Sequence, residues 1–130
     1  MSTTPAFAST MNVGSGLVPA TLDTSLTAPT NVTTIFTAGA SGSKIEEITY
    51  VGVGTTVASV VNVFRYDGAT YHLIDQVGVT AVTSNTTTVA YYFTKRYFNL
   101  LLKTGDTLRV TNTVSGNQSL IKVTAFGADF

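Results

Sequence analysis

The chain has 130 residues, seven Lys+Arg against seven Asp+Glu, and no cysteine. Zero formal charge leaves no electrostatic footprint for nucleic acid or anionic lipid, and the missing thiols exclude disulfides and thiolate metal sites. The length suits one domain with a core that needs no staples, while only 11% charged residues and 44% apolar ones point to a surface partly covered by neighbours.

No run approaches the roughly 20 apolar residues of a membrane-spanning helix. "MSTTPAFASTMNVGSG" lacks the basic start and apolar run of a secretory signal, so the expectation is a protein made and used without export. Thr and Val dominate, apolar residues alternate or form short runs, and no helical stripe recurs; this is an all-β pattern.

In chain order, residues 1–30 read as an extended N-terminal arm. It carries one weak strand, Asn12 to Val18, interrupted by Gly14 and Gly16, and a connection with Pro19 and Pro29. Residues 31–130 read as the β-sandwich. Its strands are expected at 31–38, 44–53, 58–66, 70–77, 86–94, 97–102, 107–114 and 120–130. Turn signals fall at 39–42, 67–69, 84–85, 103–106 and 115–118. On 44–53, alternation puts Ile45, Glu47, Thr49 and Val51 on one face and Glu46, Ile48 and Tyr50 on the other. Seven to eight short strands at this spacing predict a jelly-roll-like antiparallel β-sandwich. "VVNVF" and "SLIKVTAF" are apolar on both faces. One face of each lines the core, and the other is expected to meet a neighbouring subunit.

The only histidine lies in "RYDGATYHLID". With a loop over Asp67–Thr70, Tyr66 pairs with Tyr71, Arg65 with His72, Phe64 with Leu73 and Val63 with Ile74. Phe64, Tyr66, Tyr71 and Leu73 then form an aromatic cluster suited to the core, and Arg65 and His72 share the other face. Asp67-Gly68 is a turn pair. His72 has no nucleophile and acid at triad spacing, and no G-x-S-x-G or S-x-x-K motif occurs. Glu46 and Glu47 project to opposite faces and make no carboxylate pair. One histidine and scattered acids predict no zinc site; calcium on Asp23, Asp67, Asp106 and backbone carbonyls is a competing reading, without an EF-hand loop to carry it. "GVGTT" lacks the lysine and helix of a phosphate loop. Tyr91, Tyr92, Phe93, Tyr97 and Phe98, alternating with Lys95 and Arg96, could stack a sugar or a base, although the neutral composition favours core and interface roles.

"VTTIFTAGASGSKIEEI" (32–48), "FRYDGATYHLIDQVGVTAVT" (64–83), "GDTLRVTNTV" (105–114) and "IKVTAFGADF" (121–130) together resemble small virion proteins of tailed bacteriophages. The pattern is T-A-G-A-x-G-S-x-I-x-x-I, then a Y-D-G-x-x-Y hairpin, then an ending in V-x-A-x-G-x-D-F. The chain departs from the pattern at "LKTGDTLRV", where a tryptophan-bearing segment is expected. The resemblance implies a non-enzymatic structural protein, made in the host cytoplasm and carried on the virion capsid surface as a decoration (cement) protein. It implies the major capsid protein and further copies of itself, with a trimer favoured, as partners. No nucleic acid, membrane, cofactor or metal is implied. Phe7, Met11, Leu17 and Leu22 are the candidate capsid contacts, and Tyr91, Tyr97, Arg65 and His72 the candidate oligomer contacts. The competing readings are a tail, neck or fibre component, a carbohydrate-binding sandwich using Tyr91, Tyr92 and Tyr97, and, most remotely, a small hydrolase.

Overall fold

A computed structural model describes residues 10–130. Eight strands form: β1 (Thr10–Leu17), β2 (Thr33–Thr37), β3 (Ser43–Gly52), β4 (Ser59–Tyr66), β5 (Tyr71–Val79), β6 (Tyr92–Leu102), β7 (Thr107–Asn112) and β8 (Ile121–Asp129). They make two four-stranded antiparallel sheets, sheet I in the order β1-β8-β3-β6 and sheet II in the order β2-β7-β4-β5. Strand β1 pairs with β8, β2 with β7, β3 with β6 and β4 with β5. The chain is thus one long hairpin wound into a jelly roll, as expected, and the "YDGATY" turn is its midpoint.

The core fills the space between the sheets. Ile45, Ile48, Tyr50, Ile121, Val123 and Ala125 point in from sheet I, and Ile35, Phe36, Val61, Val63, Leu108 and Val110 from sheet II. The two long sides of the sandwich close differently. On one side, β1 presses onto β2. A Cβ on Gly14 would sit 2.0 Å from the Ile35 carbonyl oxygen, and one on Gly16 would sit 2.7 Å from the Thr33 methyl. These glycines do not interrupt the first strand; they let two backbones approach. On the other side, Asp75 of β5 takes hydrogen bonds from Lys95 (2.7 Å) and the Tyr97 hydroxyl (2.8 Å) of β6. Burial pushes the Asp75 carboxyl up, but the bonds from Lys95 and Tyr97 outweigh it and hold its pKa below the ordinary value.

Five expectations are corrected. Residues 86–91 are not strand: Asn85 accepts hydrogen bonds from the Thr87 and Thr88 amides and makes a turn of "NTTT". β6 is then a single strand: Lys95 and Arg96, expected to separate two strands, pair with Ile48 and Glu47, and the irregularity lies farther on, in a bulge over Tyr97–Asn99 with Asn99 at φ 55°. In β3 a bulge at Glu46 shifts the alternation, so Ile45 lies on the core face with Ile48 and Tyr50. In the central hairpin, Tyr66–Tyr71, Arg65–His72 and Phe64–Leu73 pair as expected, but Val63 pairs with Asp75 because Ile74 is an extra residue. The aromatic cluster also faces away from the core. Val63 belongs to the core, so Phe64 and Tyr66 stand on the outer face of sheet II.

Candidate functional site

Strand partners stand side by side on a face, so the register lays out the outer surface of sheet I in four rows. They run Met11–Ala128–Lys44–Leu101, Val13–Phe126–Glu47–Arg96, Ser15–Thr124–Thr49–Thr94 and Leu17–Lys122–Val51–Tyr92. Seven of these side chains are large and apolar and open to solvent, led by Met11 at 89% and Tyr92 at 71% exposure. The charged members are tied to each other. Lys44 lies 3.1 Å from Glu46, and Arg96 lies 3.8 Å from Glu47. Such exposed pairs add little stability, but they leave the face nearly neutral, with Lys122 the charge in these four rows that has no ion-pair partner among the described residues.

The bulges that face each other across β3 and β6 shape a cleft on this surface. Glu46 is skipped in β3, and Tyr97, Phe98 and Asn99 are skipped opposite it in β6. Lys44, Glu46, Glu47, Arg96, Phe98 and Asn99 line a space of about 410 Å³. The bulge brings both glutamates to one cleft, contrary to the expectation of opposite faces, although each is matched to a cation. Phe98 stands at its rim, 97% exposed.

The outer face of sheet II is finished by its own side chains. Phe64 is 0% exposed, with the Tyr71 ring edge-on to it at 5.8 Å. The Arg109 guanidinium lies 4.1 Å from the Tyr66 ring centre and donates to the Tyr71 hydroxyl at 2.8 Å. The second apolar face of "VVNVF" is therefore covered within the molecule and does not await a neighbour.

The candidate contact residues separate accordingly. Met11 and Leu17 share the outer face of sheet I, whereas Leu22 lies in the 18–32 connection, exposed but off that face. Phe7 lies outside the described residues. Tyr91 is 8% exposed and donates to the Gly78 carbonyl, so its ring is a core group and offers no surface to a partner. Tyr97 turns inward to Asp75. Tyr91, Tyr92 and Tyr97 therefore share no face, and no stacking platform forms. Arg65 and His72 are cross-strand neighbours at the hairpin end. Arg65 bridges to the buried Asp106 at 3.2 Å, and His72 lies 2.9 Å from Asp67.

The acids work as loop fasteners. Asp23 accepts from the backbone amides of Ser25, Thr30 and Asn31. Asp67 accepts from the Thr70 and Ala69 amides and meets His72, and these bonds hold its carboxyl far below the usual range. Asp106 takes the Lys103 amide and Arg65. Asp23 and Asp106 belong to opposite ends of β7, since the Asp23 amide donates to Asn112. These aspartates are not gathered as calcium ligands. Among the described residues, no three His, Cys, Asp or Glu side chains cluster as metal ligands.

Two of the resembling segments meet in space. Asp129 of the terminal "GADF" accepts from Ser43 and Asn12, and a Cβ on Gly39 would lie 2.5 Å from its carboxyl carbon. The Phe130 amide donates to the Gly42 carbonyl. "TAGASGS" and "GADF" are thus two halves of one fastener between β3 and β8. Sequence reasoning placed Phe98 among the core and interface aromatics without marking it as exposed, and missed Phe126, Val13 and Leu101 as surface groups. Alternation in "SLIKVTAF" carried the signal for Phe126; nothing local carries one for Phe98, which is expelled by a bulge. Comparison with models of known protein families and with curated proteins gives no match.

Proposed function

We propose that this protein is a non-enzymatic structural component of a tailed-phage virion. It sits on the capsid surface and ties neighbouring capsid subunits together. The open outer face of sheet I is the observation that carries the reading. It presents Met11, Val13 and Phe126 beside one another, with Leu101 across Lys44 and Leu17, Val51 and Tyr92 beyond a row of Ser and Thr, and a face carrying this many exposed apolar groups rimmed by polar ones marks an interaction site. The ordered motifs, which resemble those of small phage virion proteins, support the choice of partner. Docking would hide the apolar rows and spread the outward load of packaged DNA over more contacts.

The test is cosedimentation of the purified protein with shells of the encoding phage that lack it, followed by cryo-electron microscopy. Stoichiometric density on the outer shell is expected, with loss of binding in Phe126→Asp. Density confined to the tail or neck would replace this reading with the tail-component one. Binding unchanged in Phe126→Asp would remove the proposed face.

A further inference from the structure

A strand at the edge of a sheet exposes unpaired N–H and C=O groups, and proteins blunt such edges with bulges, charges or short length. Three of the four edge strands here are blunted. β2 is only five residues long and carries an extra residue at Ile35. β5 is bulged at Ile74, next to Asp75. β6 is bulged over Tyr97–Asn99 and carries Lys95 and Arg96. β1 is different: eight residues, TMNVGSGL, with no charge, no proline and no register shift against β8.

Its free polar groups are identified by the ladder. The Val18 amide donates to Ile121, so the even-numbered residues of β1 bond to β8. The N–H and C=O of Met11, Val13, Ser15 and Leu17 therefore point to the open side, and among the described residues no backbone group pairs with them. We infer that the occupant of this edge is the β1 strand of a second copy, joined antiparallel about a two-fold axis at Gly14. That register sets Met11 against Leu17 of the partner subunit and Val13 against Ser15 of the partner subunit. Both are hydrogen-bonded pairs, as the outward direction of the odd residues requires. Each copy supplies four donors and four acceptors along about 27 Å of strand.

The sequence of β1 is compatible with itself. It carries no charge, so no like charges meet across the axis. Met11 and Leu17, the two larger apolar groups of its outer face, become neighbours. A two-fold axis perpendicular to the sheet keeps both outer faces on one side, so sheet I continues through the junction as eight strands with a doubled apolar surface. Of the two occupants a free edge could take, a foreign strand or a second copy, the uncharged and unbroken β1 strand, which can meet itself with no like charges opposed, favours the copy. This inference does not depend on the capsid reading. It differs from the trimer implied by the resemblance, because a two-fold contact gives even-numbered assemblies.

The experiment is native mass by light scattering at two concentrations, on wild type and on two double variants. V13K/S15K sets lysines against lysines across the axis, and V13E/S15E does the same with glutamates. Both positions are solvent-facing, and circular dichroism checks that the variants fold. The wild type is expected at an even multiple of 13.6 kDa. Each variant alone should be smaller, and an equimolar mixture should regain the wild-type mass, because Lys then faces Glu. Hydrogen exchange on the wild type gives an independent reading: the amides of residues 11, 13, 15 and 17 should be protected. A wild-type monomer or trimer, variants of undiminished mass, a mixture that fails to reassemble, or fast exchange at those four amides would each overturn the inference.

Discussion

The two outer faces of the sandwich solve the same problem in opposite ways. Both β4 and β8 carry apolar groups on the side away from the core. On sheet II the molecule covers them itself: Tyr71 stands against Phe64, and Arg109 spans Tyr66 and Tyr71. On sheet I, Phe126 and Met11 have no such lid, and Lys44 and Arg96 are spent on Glu46 and Glu47. An apolar second face is therefore not by itself a docking surface. What matters is whether a long side chain from the neighbouring strand can lie across it.

The contrast breaks most visibly at Phe64. Phe64→Ala should cost about 3–5 kcal/mol, read as a lower urea midpoint at unchanged slope. Removing the lid comes next. Arg109→Ala loses the stacking on Tyr66 and the bond to Tyr71, and should cost about 1–2 kcal/mol in the same titration. A smaller effect is expected at the hairpin tip. The folded-state pKa of Asp67 lies below its unfolded value, so its contribution is complete above the unfolded pKa of about 3.9 and fades as pH falls below it. Asp67→Asn should therefore lower the melting temperature at pH 7, and the gap to wild type should shrink steadily from pH 4 to pH 2. The smallest effect belongs to the open face. Met11→Ser and Phe98→Ser should change stability by no more than about 0.5 kcal/mol. If Met11→Ser costs as much as Phe64→Ala, the two faces are not distinct.

Strand number, sheet class and most of the central hairpin were legible in the sequence because alternation and turn chemistry are local. Alternation also grouped Phe64, Tyr66, Tyr71 and Leu73 correctly, but could not say which side was inside. That choice was made at a distance: Arg65 faces the buried Asp106, and Asp75 must turn inward to meet Lys95 and Tyr97. The second requirement explains the extra residue at Ile74 and the slipped Val63 pairing. The candidate surface was legible in part. Met11 and Leu17 were singled out and do share an exposed face, whereas Tyr91 looked like an interface aromatic and is locked in the core by Gly78. Phe98 was legible as a core or interface aromatic but not as a fully exposed one, since only the mismatch of three residues opposite one pushes it outward.

Pairing of β1 with β8 sets the order in which this molecule can be completed. Thr10 is opposite Asp129, so nearly the whole chain must leave the ribosome before the first strand finds its place. A nascent chain can close β4 on β5, then β3 on β6 and β2 on β7, from the middle outward. Non-local closures of this kind are slow, in the millisecond-to-second range. Until Ile121–Asp129 emerges, β1 has both edges bare. Through that interval β1 is an unpaired strand, the condition under which a nascent chain is exposed to pairing with its neighbours.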